Sequence, residues 1–151
     1  MSFKTALSVL GNLSVTGIAH NYGITEVPES LGRAQLPALL VLPIDTQEAG
    51  LFRQRGEAFE GVAFSSGTKT VRYVTTHLLL IAPFHSAKGL RGHLSLLADN
   101  IDNYFAALGA DLTLGGTLDV PAEVQIEPGI FKIGDVDYVG CALRHTWVIA
   151  V

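Results

Sequence analysis

The sequence predicts an α+β domain: an antiparallel sheet with a closing β-hairpin, flanked by an N-terminal helix and one long amphipathic helix. Three observations predict it. Apolar residues at helical spacing open the chain and return between Leu90 and Leu108. Runs dense in β-branched and aromatic residues lie between and after these two segments. The last two such runs are separated only by Gly134-Asp135-Val136-Asp137, a turn-forming stretch. At 151 residues the chain has the length of one domain with one core, and it reads as a single domain over 1–151.

In chain order, Ser2 stands as an N-cap ahead of Phe3, Ala6, Leu7, Leu10 and Leu13, which predicts a short helix running to Gly11 or slightly beyond. The Gly17 to Gln35 segment mixes Gly, Pro and polar residues and leads to an apolar run bounded by Pro37 and Pro43, so Ala38 to Leu42 is expected as a buried strand. No period is sustained from Asp45 to Lys69, which predicts a long loop or an exposed hairpin arm. Thr70 to Ala82 has the composition and length of a central strand. Leu90, Leu94, Leu97, Ile101, Tyr104, Phe105 and Leu108 share one helical face, with His93, Asp99, Asn100, Asp102 and Asn103 opposite, and Gly109 ends the pattern. Ala122 to Ile133 and Tyr138 to Val151 then read as the arms of the closing hairpin.

Composition narrows the function. Hydrophobic residues make up 48% of the chain and charged residues 16%, against about 25% charged in an average soluble domain. A surface so neutral is expected to be covered in part by another subunit. The net charge of −4 disfavours a basic nucleic-acid-binding face. The single cysteine, Cys141, excludes an intrachain disulfide and a multi-cysteine zinc site. No apolar stretch approaches the roughly 18 residues of a membrane span, and the polar residues diluting the first helix argue against a cleaved signal.

The candidate chemistry is thin. Gly61 to Thr70 resembles a phosphate-binding loop, but five residues separate the glycines, Thr68 intrudes before Lys69, and a strand rather than a helix follows. Cys141 and His145 share a strand face about 13 Å apart at strand rise, too far to act as nucleophile and base. His77 could meet His145 across the sheet as two metal ligands, a catalytic pair, or hydrogen-bonded sheet histidines. Asp99 and Asp102 are neighbours on the long helix, where a solvated face explains them without a third ligand. Gly-x-Ser-x-Gly, His-Glu-x-x-His and Gly-x-Gly-x-x-Gly are absent, and the residues give no catalytic set, no metal site and no cofactor. Aromatic and arginine residues alternate in Phe52, Arg53, Arg55 and Phe59, a pattern typical of interface anchors. Trp147 reads either as a further anchor or as core. Five acids against Lys132 alone give the stretch from Asp119 to Gly140 a local charge of −4. Glu123, Glu127, Asp135 and Asp137 are therefore candidates for an acidic, phosphate-repelling lumen surface or for a solubilising rim.

The order of elements resembles that of a known family. An opening helix, the strand Leu36-Pro37-Ala38-Leu39-Leu40-Val41, an irregular arm, and a long strand ending Leu78-Leu79-Leu80-Ile81-Ala82-Pro83 come first. An amphipathic helix and a hairpin from Gly129-Ile130-Phe131 to Tyr138-Val139-Gly140-Cys141-Ala142-Leu143 follow. In this order the chain is similar to the tail terminator, or tail-completion, proteins of long-tailed bacteriophages. The resemblance implies a non-enzymatic structural protein of the virion, assembled in the host cytoplasm as a homo-oligomeric ring, typically of six subunits. Its implied partners are the tail tube protein and the head-tail connector or stopper protein. DNA would pass through without specific binding, and no membrane is involved. A connector stopper or tube-like ring protein shares much of the signature. A small ligand-binding or hydrolytic α+β enzyme using His77, His145 and Cys141 is the alternative from another class.

Overall fold

The computed structural model describes residues 2–43, 58–65, 68–84 and 91–150, with the backbone alone for 58–65 and 68. Helix α1 spans Phe3–Gly11, capped as its sequence predicts: the Thr5 N–H donates to the Ser2 side chain at 3.1 Å. Six strands follow or flank the second helix: β1 His20–Tyr22, β2 Ala38–Leu42, β3 Ala58–Ser65, β4 Thr68–Pro83, β5 Glu123–Ile133 and β6 Val136–Ala150. Helix α2 covers Leu94–Gly109 after a single 3₁₀ turn at Arg91–His93. The α+β class and the flanking helices are as the sequence predicts.

The sheet order is β1-β2-β4-β6-β5. Strands β3 and β2 lie end to end along one edge of β4, β3 opposite Thr68 to Val74 and β2 opposite Thr76 to Leu80, while β6 takes the other edge. Every pairing is antiparallel except β1 with β2, which is parallel. The sequence gives no sign of this exception, because β1 has only three residues within a Gly- and Pro-rich segment. Parallel neighbours need a crossover of about a dozen residues or more, and the 23–37 segment supplies it. Within the stretch expected as a loop or arm, 58–65 is strand; residues 44–57 lie outside the described residues.

Both faces of the sheet are covered, which is why β2 reads as an unbroken apolar run. On one face, α1 and the 111–118 turns pack Leu7, Leu10, Leu114 and Leu118 onto Val41, Trp147 and Ile149. On the same face, α2 sets Leu97 and Tyr104 against Leu39, Leu79, Cys141 and Leu143. On the other face, Leu31 of the crossover lies with Leu40, Leu78, Leu80, Phe131 and Ala142. The Tyr138 hydroxyl locks this cover in place: it donates to the Leu31 carbonyl and accepts from the Leu31 N–H, both at 3.0 Å.

The face of α2 turned inward differs from the one expected. Leu97, Asn100 and Tyr104 are buried, whereas Leu94 and Phe105 are 53% and 43% exposed. Asn100, expected on the solvated side, is held within because its side-chain N–H donates to the Leu96 carbonyl at 2.8 Å. Leu90 lies outside the described residues.

Two glycines are demanded by geometry. The β5–β6 turn has only two residues, and Gly134 stands first in it at φ 60°, a conformation that such tight hairpins need. At Gly140 the neighbouring strand presses close beside a bulge in β4, and a Cβ would sit 2.0 Å from the Leu79 carbonyl oxygen. Gly140→Ala is expected to cost about 3 kcal/mol, the upper range for overpacking. Gly129→Ala, whose Cβ would meet only the Phe131 ring at 4.0 Å, should change stability by less than about 0.5 kcal/mol. Urea unfolding of both variants checks the contrast.

Candidate functional site

The two strand histidines do come together, through a third residue that the sequence reading had assigned only to the apolar face of α2. Tyr104 places its hydroxyl 2.9 Å from His77 Nδ1 and 2.6 Å from His145 Nε2. Beyond His77, Nε2 lies 2.8 Å from Asn21 Oδ1; beyond His145, the Trp147 indole N–H donates to Nδ1 at 3.3 Å. Asn21 Nδ2 in turn donates to the Leu10 and Leu13 carbonyls at 3.0 Å each, where α1 ends.

The two ends fix the direction of every bond. An indole nitrogen can only donate, so His145 Nδ1 is bare and Nε2 carries the proton, which it gives to the Tyr104 oxygen. The Tyr104 O–H then donates to His77 Nδ1, and His77 Nε2–H donates to Asn21 Oδ1, the amide's only free acceptor. Both imidazoles are neutral in this arrangement. Burial alone pushes His145 down to about 3. Burial, followed by repulsion from His145, holds His77 well below its usual value, and burial raises the Tyr104 hydroxyl well above its own.

This site is closed. His77, Tyr104, His145 and Trp147 have no exposed surface, and every nitrogen of the two rings is already engaged, so neither ring has a free lone pair for a metal. Cys141 is buried on the same sheet face, where desolvation pushes its thiol up to about 12 against the opposing pull of a hydrogen bond with the Glu127 backbone; it stays protonated and behaves as a small apolar group. Among the described residues no three His, Cys, Asp or Glu side chains are grouped to hold a metal, and no helix is long and apolar enough to cross a membrane.

No protein-family model and no curated protein matches this chain.

The remaining candidates are distributed over the surface or removed from it. Trp147 is fully buried within the chain itself, beside Phe3 at 6.5 Å and hydrogen-bonded to His145. As an interface anchor it is therefore corrected to core: its indole N–H needed a buried acceptor and found one two residues away on the same strand face. Phe52, Arg53 and Arg55 lie outside the described residues, and Phe59 is described only as a backbone position of β3 opposite Tyr73.

The four hairpin acids do not form one surface. Alternation puts Glu123 and Glu127 on one face of β5; Asp135 is in the turn; Asp137 stands across from Lys132 on the other face. Glu127 is half-buried and accepts a hydrogen bond from Arg144 Nε at 3.2 Å, the arginine side chain being 6% exposed. The acidic field of the hairpin is correspondingly weaker than the count of acids between Asp119 and Gly140 implies.

Sequence reasoning missed Tyr104 and Asn21. A tyrosine inside an otherwise apolar helical stripe was the available signal, since a buried phenol needs a partner and the two strand histidines were the unassigned candidates. Tyr104→Phe removes the hub and strands two ring nitrogens, at about 1–3 kcal/mol each, so a loss of about 2–6 kcal/mol is expected by denaturant unfolding.

Acid should weaken the same fold. The unfolded chain protonates its histidines near 6.5, while the folded rings resist, so below that pH the unfolded state binds more protons. Stability is full above about pH 6.5 and falls toward pH 3 by up to about 1.4 kcal/mol per pH unit for each histidine. Trp147, the single tryptophan, reports the transition by fluorescence; a flat profile through this window would contradict the neutral assignment.

Proposed function

We propose that this chain is the repeating subunit of a ring of the tail-terminator kind, which closes the tail tube of a long-tailed bacteriophage and joins it to the head connector. The reading rests on the order of elements and on what the surface offers. The observation that carries it is the apolar surface beside α2. Leu94 and Phe105 are 53% and 43% exposed on one side of the helix, and Ile126 and Ile130 are close to 40% exposed on β5. A monomer gains nothing from such a surface, whereas a subunit buries it against neighbours.

Strand β5 supports the same reading. It is an edge strand of eleven residues, paired only with β6 among the described residues, and carries Pro128, a residue suited to an edge because it cannot extend the ladder. In the ring, Phe52, Arg53, Arg55 and Phe59 contact the adjacent subunit or the tube protein. DNA crosses the ring held only by geometry, since the charge of −4 leaves few cations to neutralise phosphate.

Imaging of tails labelled on this protein tests the proposal. A ring at one end of the tube, with six copies around the axis, is the expected result; a ring within the connector or along the tube would reassign it as a stopper or tube-like protein. Isolated copies or absence from the particle would refute it. Phe52→Ala with Arg55→Ala should impair tail completion while circular dichroism stays that of the parent.

A further inference from the structure

We infer that copies of this chain join head to tail: the Asp119–Val120 corner of one copy seats in a cavity at the opposite end of α2 of the next. The inference deepens the ring reading and rests on it.

The cavity, of about 210 Å³, lies at the N-terminal end of α2 with Pro37, Ile81, Pro83 and Leu96 among its apolar walls and Arg33 and His93 as its polar ones. It is smaller than the roughly 300–1,000 Å³ of a small-molecule pocket, and its size suits one anchoring side chain of a partner. Three features call for a carboxylate beside that side chain. His93 Nε2 is buried and has no hydrogen-bond partner. Arg33 is exposed, and among the described residues it has no acidic partner. The 16-residue α2 has no acidic residue in its first turn and no side-chain cap from His93, so among the described residues no side chain offsets the positive end of its dipole.

Asp119–Val120 has the matching chemistry. Val120 is 47% exposed next to an exposed aspartate, and Leu112 beside it is 53% exposed. The corner is held rigid before any contact: the Asp119 N–H donates to the Val148 carbonyl at 2.8 Å, the Ala122 N–H to that of Leu112 at 3.1 Å, and Leu118 is buried beneath. Little ordering is left for association to supply.

The positions of corner and cavity suit a head-to-tail arrangement. Val148 stands opposite Arg72, and the cavity wall at Pro83 stands opposite Tyr138, so corner and cavity are about 36 Å apart along β4 at strand rise. A head-to-tail contact leaves each copy one free end and repeats until a ring closes, whereas an antiparallel two-fold pair would satisfy both contacts at once and stop at a dimer, with no ladder of linked copies. The other exposed acidic-apolar segment, Asp135-Val136-Asp137, lies at the same end as the cavity, since the Phe84 N–H donates to the Asp137 carbonyl at 2.8 Å. It would give a reciprocal dimer instead.

Cysteine pairing discriminates between these geometries, because Cys141 is buried and does not compete. Leu96→Cys with Val120→Cys in one chain should give an oxidation-dependent ladder on non-reducing gels, both as purified protein and in assembled tails. Either variant alone should give no disulfide dimer, and a mixture of the two single variants should stop at dimers. Asp119→Arg should weaken association roughly tenfold or more in sedimentation, and adding Arg33→Asp should restore it. Self-linking of Leu96→Cys alone, or linking of Leu96→Cys to Val136→Cys, would overturn the head-to-tail contact, as would rings at tube ends that never link 96 to 120. In that last case the ring reading survives; absence of any ring from the particle removes both.

Discussion

A single directed line of hydrogen bonds, from the Trp147 indole to the carbonyls that end α1, constrains the whole helix-covered side of the molecule. His145, Tyr104 and His77 each have one partner on each side, and the donor at one end and the two carbonyls beyond Asn21 at the other leave no freedom to reverse it. The line crosses β6, α2, β4 and β1 and ends on α1, so five elements distant in sequence share one set of proton positions. Breaking it anywhere leaves polar atoms stranded in a dry interior, which costs more than the intact line gains. Its contribution is therefore mainly to uniqueness: another rotation of α2 would strand Tyr104.

That constraint decides what the outside of the protein looks like. Tyr104 must point at the two histidines, and Asn100 and Leu97, four and seven positions before it on the helix, fall on the same inward face. Leu94 and Phe105 are then turned outward although they are apolar. The exposed greasy strip on which the functional reading rests is thus a consequence of a polar requirement inside. On the far face of the sheet, Tyr138 does the equivalent work with two bonds to Leu31, tying the crossover down. With both faces covered, α2's outer side, the β5 edge and the two ends of the sheet are what the described residues leave for a partner.

How much of this was legible follows from which forces act locally. The Ser2 cap, the Pro-bounded run at Ala38 to Leu42, the β-branched density of Thr70 to Ala82 and the hairpin with Gly134 are each set by a few adjacent residues, and all appear where the sequence places them. The rotation of α2 was not legible, because periodicity ranks Leu94 and Phe105 above Asn100 by hydropathy alone, and the competing requirement of Tyr104 comes from residues 27 and 41 positions away. The meeting of His77 and His145 was visible only as a possibility, since register depends on the β4–β6 pairing. Trp147 failed as a surface candidate for a related reason: its burial is decided by Phe3 and His145 together, and neither signals it from its own neighbourhood.

The rarity of unsatisfied polar atoms sharpens the distinction between interior and interface. Among the described residues two buried side-chain atoms lack a hydrogen-bond partner, Asn100 Oδ1 and His93 Nε2. The first is explained by packing within the fold: Gly17 approaches so closely that a Cβ there would stand 3.1 Å from the oxygen, and the Asn100 N–H is occupied by Leu96, so the amide is fixed with its oxygen against backbone. His93 has no comparable explanation from within the chain. Its ring lines an open cavity, next to the Arg33 guanidinium, which has no acid among the described residues, at a helix end that His93 does not cap with its side chain. In a protein that otherwise matches donors to acceptors through five successive residues, an unpartnered ring nitrogen, a guanidinium without an acid and an uncapped helix end in one place are what the proposed contact with a second copy would complete.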